Sequence, residues 1–365
     1  MTFCNFCKLN KVKLINLKFK YVTSDINKIN LKPQSFICLN CNLIQKKISK
    51  RYLNGITKIY KNYVGFEKYN QLDQTKFVGN QMNSRCNIIY KALFPKKNYN
   101  FKKKILDFGC SNGAMIKPLL ENKNRFNIYG TDIKNHLNTE FVKNKNFKQF
   151  IPLKKIYDSG IKFDYIFLIH VFEHLIDLNE FLTKIAKILT KNGKIIIQIP
   201  NYSKNPYDLL IYDHAYHFDK YSLQNIFNFH SYKFKINENL IPGEFFITLS
   251  KSSKKINKTF KNDYNSSLKK IDWLYSNFKR LKKVNSFSVI GSSVTSLIIV
   301  SNFYNKIFKV YDEDIQRQGK LLNGLKIRSL SDYQKEKLFF PFYGLKLQNL
   351  KSKFYNKYKN LKIIA

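Results

Sequence analysis

Four cysteines come in two close pairs, Cys4-x-x-Cys7 and Cys38-x-x-Cys41. Each pair can grip one side of a single ion while the intervening chain loops around it, which is what tetrahedral zinc requires. A redox-active dithiol would account for one such pair but not for two, and neither sits in a strand–helix–strand setting. The expectation is a closed, structural Zn2+ site on Cys4, Cys7, Cys38 and Cys41. Cys86 and Cys110 lack partners of this kind and read as small apolar side chains.

A second group has the chemistry of a nucleotide cradle. Lys104-Ile105-Leu106-Asp107-Phe108 reads as a short buried strand, and Gly109-Cys110-Ser111-Asn112-Gly113 turns from it into an apolar helix, Ala114 to Leu120. Gly109 and Gly113 let the main chain approach a ligand where a side chain would obstruct it, and the helix start offers unpaired N–H groups. About twenty residues beyond Gly113, the strand Asn127 to Thr131 ends in Asp132, where a carboxylate can accept both hydroxyls of a ribose.

These residues need elements to hold them. Phe163 to His170 is another buried strand, followed by Val171-Phe172-Glu173-His174-Leu175, an amphipathic helix from Leu178 to Leu189 and a strand from Gly193 to Pro200. Such alternation implies a parallel sheet. Tyr232 to Leu240 and Glu244 to Ser250 are joined by Ile241-Pro242-Gly243, a turn short enough only for an antiparallel pair. Composition breaks divide the chain into a metal-bound head (1–50), a tyrosine-rich and mostly helical connector (51–101), an α/β core (102–250), a polar linker with a helix (251–284) and a C-terminal α/β piece (285–365). In that last piece a strand, a glycine turn and an apolar helix follow one another from Phe287.

The formal charge of +41 resembles the footprint of a nucleic-acid binder. Arginine, however, occurs only at Arg51, Arg85, Arg125, Arg280, Arg317 and Arg328, while lysine is spread evenly. A phosphate-tracking surface should concentrate its charge and favour bidentate arginine, so a nucleic-acid partner is not expected. No apolar run approaches the roughly 20 residues of a membrane span, and no signal peptide is evident; the expectation is a soluble, cytoplasmic protein.

Leu106 to Gly113, Tyr129-Gly130-Thr131-Asp132 and Val171 to Leu175 resemble the Rossmann-like S-adenosylmethionine-dependent methyltransferases. That resemblance implies S-adenosyl-L-methionine as cofactor, with Asp107 and Gly109 beside its methionine part and Asp132 on its ribose. Cys110, Ser111, Gly113 and His170 complete the expected cofactor set, and the adenine contact is expected near Phe150 and Ile151. Ser111 stands where the family usually has glycine. The stretch Phe36 to Gln45, around the second cysteine pair, resembles the nucleotide-deoxysugar C-methyltransferases. These join a zinc head, a seven-stranded Rossmann-like methyltransferase core and a C-terminal Rossmann-like α/β domain, and the likeness extends over most of the chain. Val310 to Asp314 and Arg317 to Lys320 are similar to motifs of that C-terminal domain.

Ile211-Tyr212-Asp213-His214-Ala215-Tyr216-His217-Phe218 is similar to the family's active-site stretch. Methylating carbon beside a carbonyl needs a general base and a group to hold the enolate. This makes His214 the candidate base, with Asp213 beside it and Tyr212, Tyr216 or His217 as donors to the enolate oxygen or the sugar. His174, and His217 on its own, read more simply as structural residues. The sequence departs from the family in places: Tyr60, Tyr63 and Tyr69 are present in the connector but its serine-rich signature is missing, His217 replaces a tyrosine, and Gly291 to Thr295 lacks the full glycine–alanine turn. Transfer to a sugar oxygen would fit these changes. An RNA methyltransferase with a zinc knuckle is the alternative suggested by charge and aromatic content.

Overall fold

In a computed structural model of the chain, the described residues are 2–63, 71–78, 81–95, 102–121, 126–252, 260–344, 347–348, 351–352, 354 and 362–364. Tyr69 of the connector and residues 253–259 of the polar linker lie outside them. The chain forms two compact units, one from Gln71–Pro200 and Lys220–Lys261, the other from Met1–Asn70, Asn201–Asp219 and Asn262–Ala365.

The first unit is built on one seven-stranded sheet. Its strands lie in the order Phe147–Phe150, Asn127–Thr131, Lys104–Phe108, Phe163–Ile169, Leu189–Pro200, Glu244–Lys251 and Tyr232–Asn237. The first five run parallel, and Glu244–Lys251 is antiparallel to both of its neighbours. The inner strands are apolar almost without interruption, as parallel strands covered on both faces must be: Ile105, Leu106, Ile166, Phe167, Leu168, Ile195, Ile196 and Ile197 are all fully buried. Helix Leu178–Lys187 starts where the Asp177 carboxylate accepts from the N–H groups of Asn179 and Glu180. It buries Leu178, Phe181, Leu182 and Ile185, one stripe at helical spacing. From Lys104–Phe108 the chain winds outward to one edge, then returns to Phe163–Ile169 and builds the other. The strand order thus reverses between these two strands, and the carboxyl ends at such a reversal are where open α/β sheets take ligands.

The described residues of the connector are mostly helical, with one strand pair between the helices. Helix Lys50–Lys61 is present, capped by Ser49, and so is helix Arg85–Leu93, capped by Ser84. Between them Thr75–Val78 pairs antiparallel with Gln81–Ser84. A four-residue strand is too short to show a clear period of two, so pairing with its partner strand decides its conformation.

The second unit carries two sheets. In one, Val12–Ile15, Ser35–Cys38, Ile44–Lys46 and Tyr216–His217 lie side by side, all antiparallel. The other has six strands in the order Leu321–Leu322, Leu325–Arg328, Ile307–Tyr311, Phe287–Ile290, Lys337–Phe339 and Lys362–Ile364, parallel except for the first hairpin. Gly291, at φ 87°, turns the chain from Phe287–Ile290 into helix Val294–Phe303, whose Leu297, Ile298, Ile299 and Val300 are all buried. Among the described residues no helix is long and apolar enough to cross a membrane.

Candidate active site and metal centre

In the first unit, Gly109, Asp132 and His170 stand just beyond the carboxyl ends of three adjacent strands. The turn after Lys104–Phe108 is held from below: Gly109 and Cys110 donate their N–H groups to the Thr131 carbonyl at 2.8 and 3.1 Å. Gly109 has φ 76°, and a Cβ there would meet Val171 Cγ2 at 2.5 Å, so both conformation and space demand glycine. Gly113, at φ 93°, packs against the Phe141 ring in the same way. The Asp132 carboxylate accepts from Ser111 N at 2.8 Å and from Ile133 N at 2.6 Å, which aims it at the turn and leaves lone pairs on both oxygens. Cys110 and Cys86 lie in the core cluster beneath, with Ile105, Met115 and Ile128. Ile151 is tied to the sheet by its N–H to the Gly130 carbonyl at 2.8 Å.

Ser111 has φ 44°, the left-handed region in which a side chain is strained. Ser111→Gly is therefore expected to raise stability by about 1 kcal/mol, the cost of holding an L-residue there offset by glycine's extra freedom when unfolded. Chemical denaturation measures it, and a destabilised variant would show that the hydroxyl matters more than the backbone.

Asp107 is buried and no described group hydrogen-bonds its carboxylate; burial, with Asp132 nearby, pushes its pKa up to about 8. Because this value exceeds the carboxyl's ordinary 3.8, the group's contribution to folding is fully present at acid pH and is lost as pH rises through about 8. Asp107→Asn should gain about 1–3 kcal/mol over the parent at about pH 8 and much less at about pH 4. Urea titrations at both values test this; a gain independent of pH would contradict it.

His170, with φ 55°, is held by two carboxylates: Nδ1 lies 2.9 Å from Glu173 Oε1 and Nε2 lies 3.2 Å from Glu244 Oε2. Glu244 also accepts from Gln198 Nε2 at 2.7 Å.

In the second unit, the stretch around His214 is bound to the cysteine-bearing sheet. Tyr216 and His217 pair with Gln45 and Ile44, and Lys46 N donates to the Ala215 carbonyl at 2.8 Å. His214 Nδ1 contacts Asp208 Oδ1 at 2.9 Å, and His217 Nδ1 contacts Asp208 Oδ2 at 2.7 Å. All three side chains are buried. Asp208 sits in the 3-10 turn Pro206–Leu210, six residues before His214, and sequence reasoning missed it. Asp213, expected beside His214, accepts instead from Ser24 N at 2.8 Å and Ser24 Oγ at 2.5 Å. Tyr212 donates its N–H to the Val22 carbonyl and accepts from Tyr52 Oη through its own carbonyl, its ring 5.3 Å from that of Tyr52. Gly55 lies so close to the Tyr212 ring that a Cβ would collide with it, which explains a glycine inside helix Lys50–Lys61. Lys46 was missed too. Its ammonium is fully buried, donates to the Leu209 carbonyl at 2.8 Å, and burial lowers its pKa to about 7.

The four paired cysteines come together. Cys4 Sγ lies 3.6 Å from Cys41 Sγ and Cys7 Sγ 3.5 Å from Cys38 Sγ, with all four sulfurs within 4.8 Å of one another. None of them forms a disulfide. Four thiolates about 2.3 Å from a tetrahedral ion would stand about 3.8 Å apart, so this set could hold one. Cys7 N and Cys41 N point at Cys4 Sγ and Cys38 Sγ, and Gln45 Nε2 reaches Cys4 Sγ at 3.1 Å.

Residues 79–235 match a family model described as "Methyltransferase domain". No curated protein matches the chain. Similar solved structures include a protein of Nostoc punctiforme named as an O-methyltransferase, at 17% identity and a TM-score of 0.36, over 45% of this chain and 55% of that one. The CurJ carbon methyltransferase is 14% identical, with a TM-score of 0.38, over 46% and 54%. A SAM-dependent methyltransferase of Archaeoglobus fulgidus is 17% identical, with a TM-score of 0.35, over 45% and 92%. The chain thus spans about half the length of the first two. The matched residues 79–235 contain the five parallel strands of the seven-stranded sheet and its glycine turn, so this part of the chain is similar to a methyltransferase domain.

Proposed function

We propose that the protein methylates a nucleotide-activated keto or deoxy sugar, at carbon, through an enolate formed with His214 as general base. The observation that carries this reading is the buried histidine held by a carboxylate, His214 on Asp208, in a chain that also has the methyltransferase turn. S-adenosylmethionine, when bound, supplies an electrophilic methyl group. Around it, Asp107 would face the methionine part, Asp132 would accept the ribose hydroxyls, and the open backbone of Gly109, Cys110, Ser111 and Gly113 would let the cofactor lie close.

Carbon next to a ketone becomes nucleophilic only when its proton leaves. His214 would take that proton, and Tyr212, Tyr216 or His217 would donate to the enolate oxygen or the sugar. Asp213, fixed by Ser24, adds a negative charge near this stretch. Zn2+ on Cys4, Cys7, Cys38 and Cys41 would be structural, since four thiolates leave no open position for a substrate.

The test is transfer of label from S-adenosylmethionine to a panel of dTDP-, GDP- and CDP-sugars. Label on a ring carbon is the expected result; label on a hydroxyl would make the enzyme a sugar O-methyltransferase. A panel that stays unlabelled while the cofactor binds would overturn the substrate class, and label in RNA would replace it.

A further inference from the structure

The two cysteine knuckles are built alike. In each, the N–H of the second cysteine points at the sulfur of the first, Cys7 N at Cys4 Sγ (3.4 Å) and Cys41 N at Cys38 Sγ (3.5 Å). A residue of positive φ then follows, Lys8 at 62° and Asn42 at 64°. Cys4 receives something more: Gln45 Nε2 reaches its sulfur at 3.1 Å, the shortest of these three contacts. The orientation of this amide is fixed by its other end, because Gln45 Oε1 accepts from Asn5 N at 2.7 Å and a backbone N–H can only donate. The amide nitrogen must therefore face Cys4, with the Leu43 carbonyl 3.4 Å away as its second acceptor. Gln45 is fully buried, and its backbone lies between two partners, Phe36 on one side and Tyr216 on the other.

We propose that Gln45 is a working part of the metal centre, its amide N–H binding the Cys4 thiolate and so strengthening the hold on the ion; this rests on the reading of the four cysteines as a metal site. A thiol sulfur is a weak acceptor, whereas a thiolate carries a full charge and accepts strongly. Four thiolates bring more negative charge than a divalent ion offsets. Cys4, Cys38 and Cys41 are buried, so N–H groups of the protein must meet that excess in place of water. The knuckle backbones supply donors to Cys4 and Cys38 alike, and Gln45 adds one from a side chain. Its neighbours keep it in place. Asn5, which lies between Cys4 and Cys7, donates its N–H to the Gln45 amide and its Nδ2 to the Lys46 carbonyl at 3.1 Å. Lys46 N in turn donates to the Ala215 carbonyl at 2.8 Å. The donor is thus pre-set by strand Ile44–Lys46 and costs little to hold when the ion enters. A carboxylate in the same position would fill the same space but turn oxygen lone pairs toward a negative sulfur.

The experiment uses the full-length protein, with zinc affinity measured by competition against a chromophoric chelator and the site read spectroscopically with Co2+ in place of zinc. Gln45→Leu, which removes the donor and keeps most of the bulk, should weaken zinc binding by roughly 10–100-fold, and Gln45→Glu by at least as much. In both variants the sulfur-to-cobalt charge-transfer band should move to longer wavelength, because a sulfur without its N–H partner gives up an electron more readily, while the ligand-field bands of a tetrahedral site stay in place. A side chain that served only as packing would not shift the charge-transfer band. Variants that hold zinc as tightly as the parent overturn the inference, as does a loss of affinity with that band unmoved. A parent that binds neither ion overturns it together with the metal reading, whereas tight binding in the parent with no effect at Gln45 leaves the metal reading standing.

Discussion

His214→Gln is expected to lower kcat for methyl transfer by about 10²–10⁴-fold, the usual worth of a positioned general base, while leaving the affinity for S-adenosylmethionine unchanged. The two halves of this expectation come from different regions of the chain. The residues expected to touch the cofactor, from Asp107 to Gly113 with Asp132, belong to the seven-stranded unit, whereas His214 belongs to the unit that carries the cysteines. Glutamine fills much of the imidazole's volume and can place a polar nitrogen near Nε2, but it cannot take a proton at neutral pH. Calorimetry with S-adenosylmethionine and single-turnover transfer to the sugar separate the effects. A variant that retains kcat would remove His214 from the chemistry, and one that loses cofactor affinity would show a folding defect instead.

The second large effect is expected at the cysteines. Cys38→Ser, or stripping the ion with a chelator, should unfold the antiparallel sheet of the head and abolish transfer. The physical reason lies in the pairing. Strand Ser35–Cys38 lies beside Ile44–Lys46, and that strand pairs with Tyr216–His217, so the metal centre and the candidate base share one ladder of hydrogen bonds. Gln45 reinforces the link, with its backbone opposite Tyr216 and its side chain on Cys4. Structural zinc in small peptides contributes about 10–16 kcal/mol, comparable to the entire stability of a domain. Metal analysis should find one zinc per chain. Circular dichroism after chelation should show loss of some of the structure, with S-adenosylmethionine binding by the other unit retained. Full activity in a metal-free protein would contradict a structural ion.

Chemistry that is written in a few consecutive residues was legible without coordinates. The strand Lys104–Phe108, its glycine turn, Asp132 at the end of the next strand and the antiparallel pair ending at Lys251 are all where composition and spacing place them. Each depends on local signals: an apolar run, a residue able to take positive φ, and a polar side chain at a strand end. The two CxxC pairs were equally readable, because a knuckle is a local turn even when its partner is 31 residues away. The strand pair in the connector was not, since a four-residue strand carries almost no period of its own.

By itself, the sequence determined that a glycine hinge follows a buried strand, that an acid ends the next strand, and that four thiols come in pairs. Tertiary structure alone decided which carboxylate holds His214. Asp213 is its neighbour in the chain, but the turn Pro206–Leu210 brings Asp208 to both imidazoles while Ser24 takes Asp213. It also decided that residues 201–219 fold with the cysteine head, and that Lys46 is buried beside them. Pairing between distant segments is chosen by the burial and hydrogen bonding it satisfies at both ends, and no window of sequence around either end contains the other.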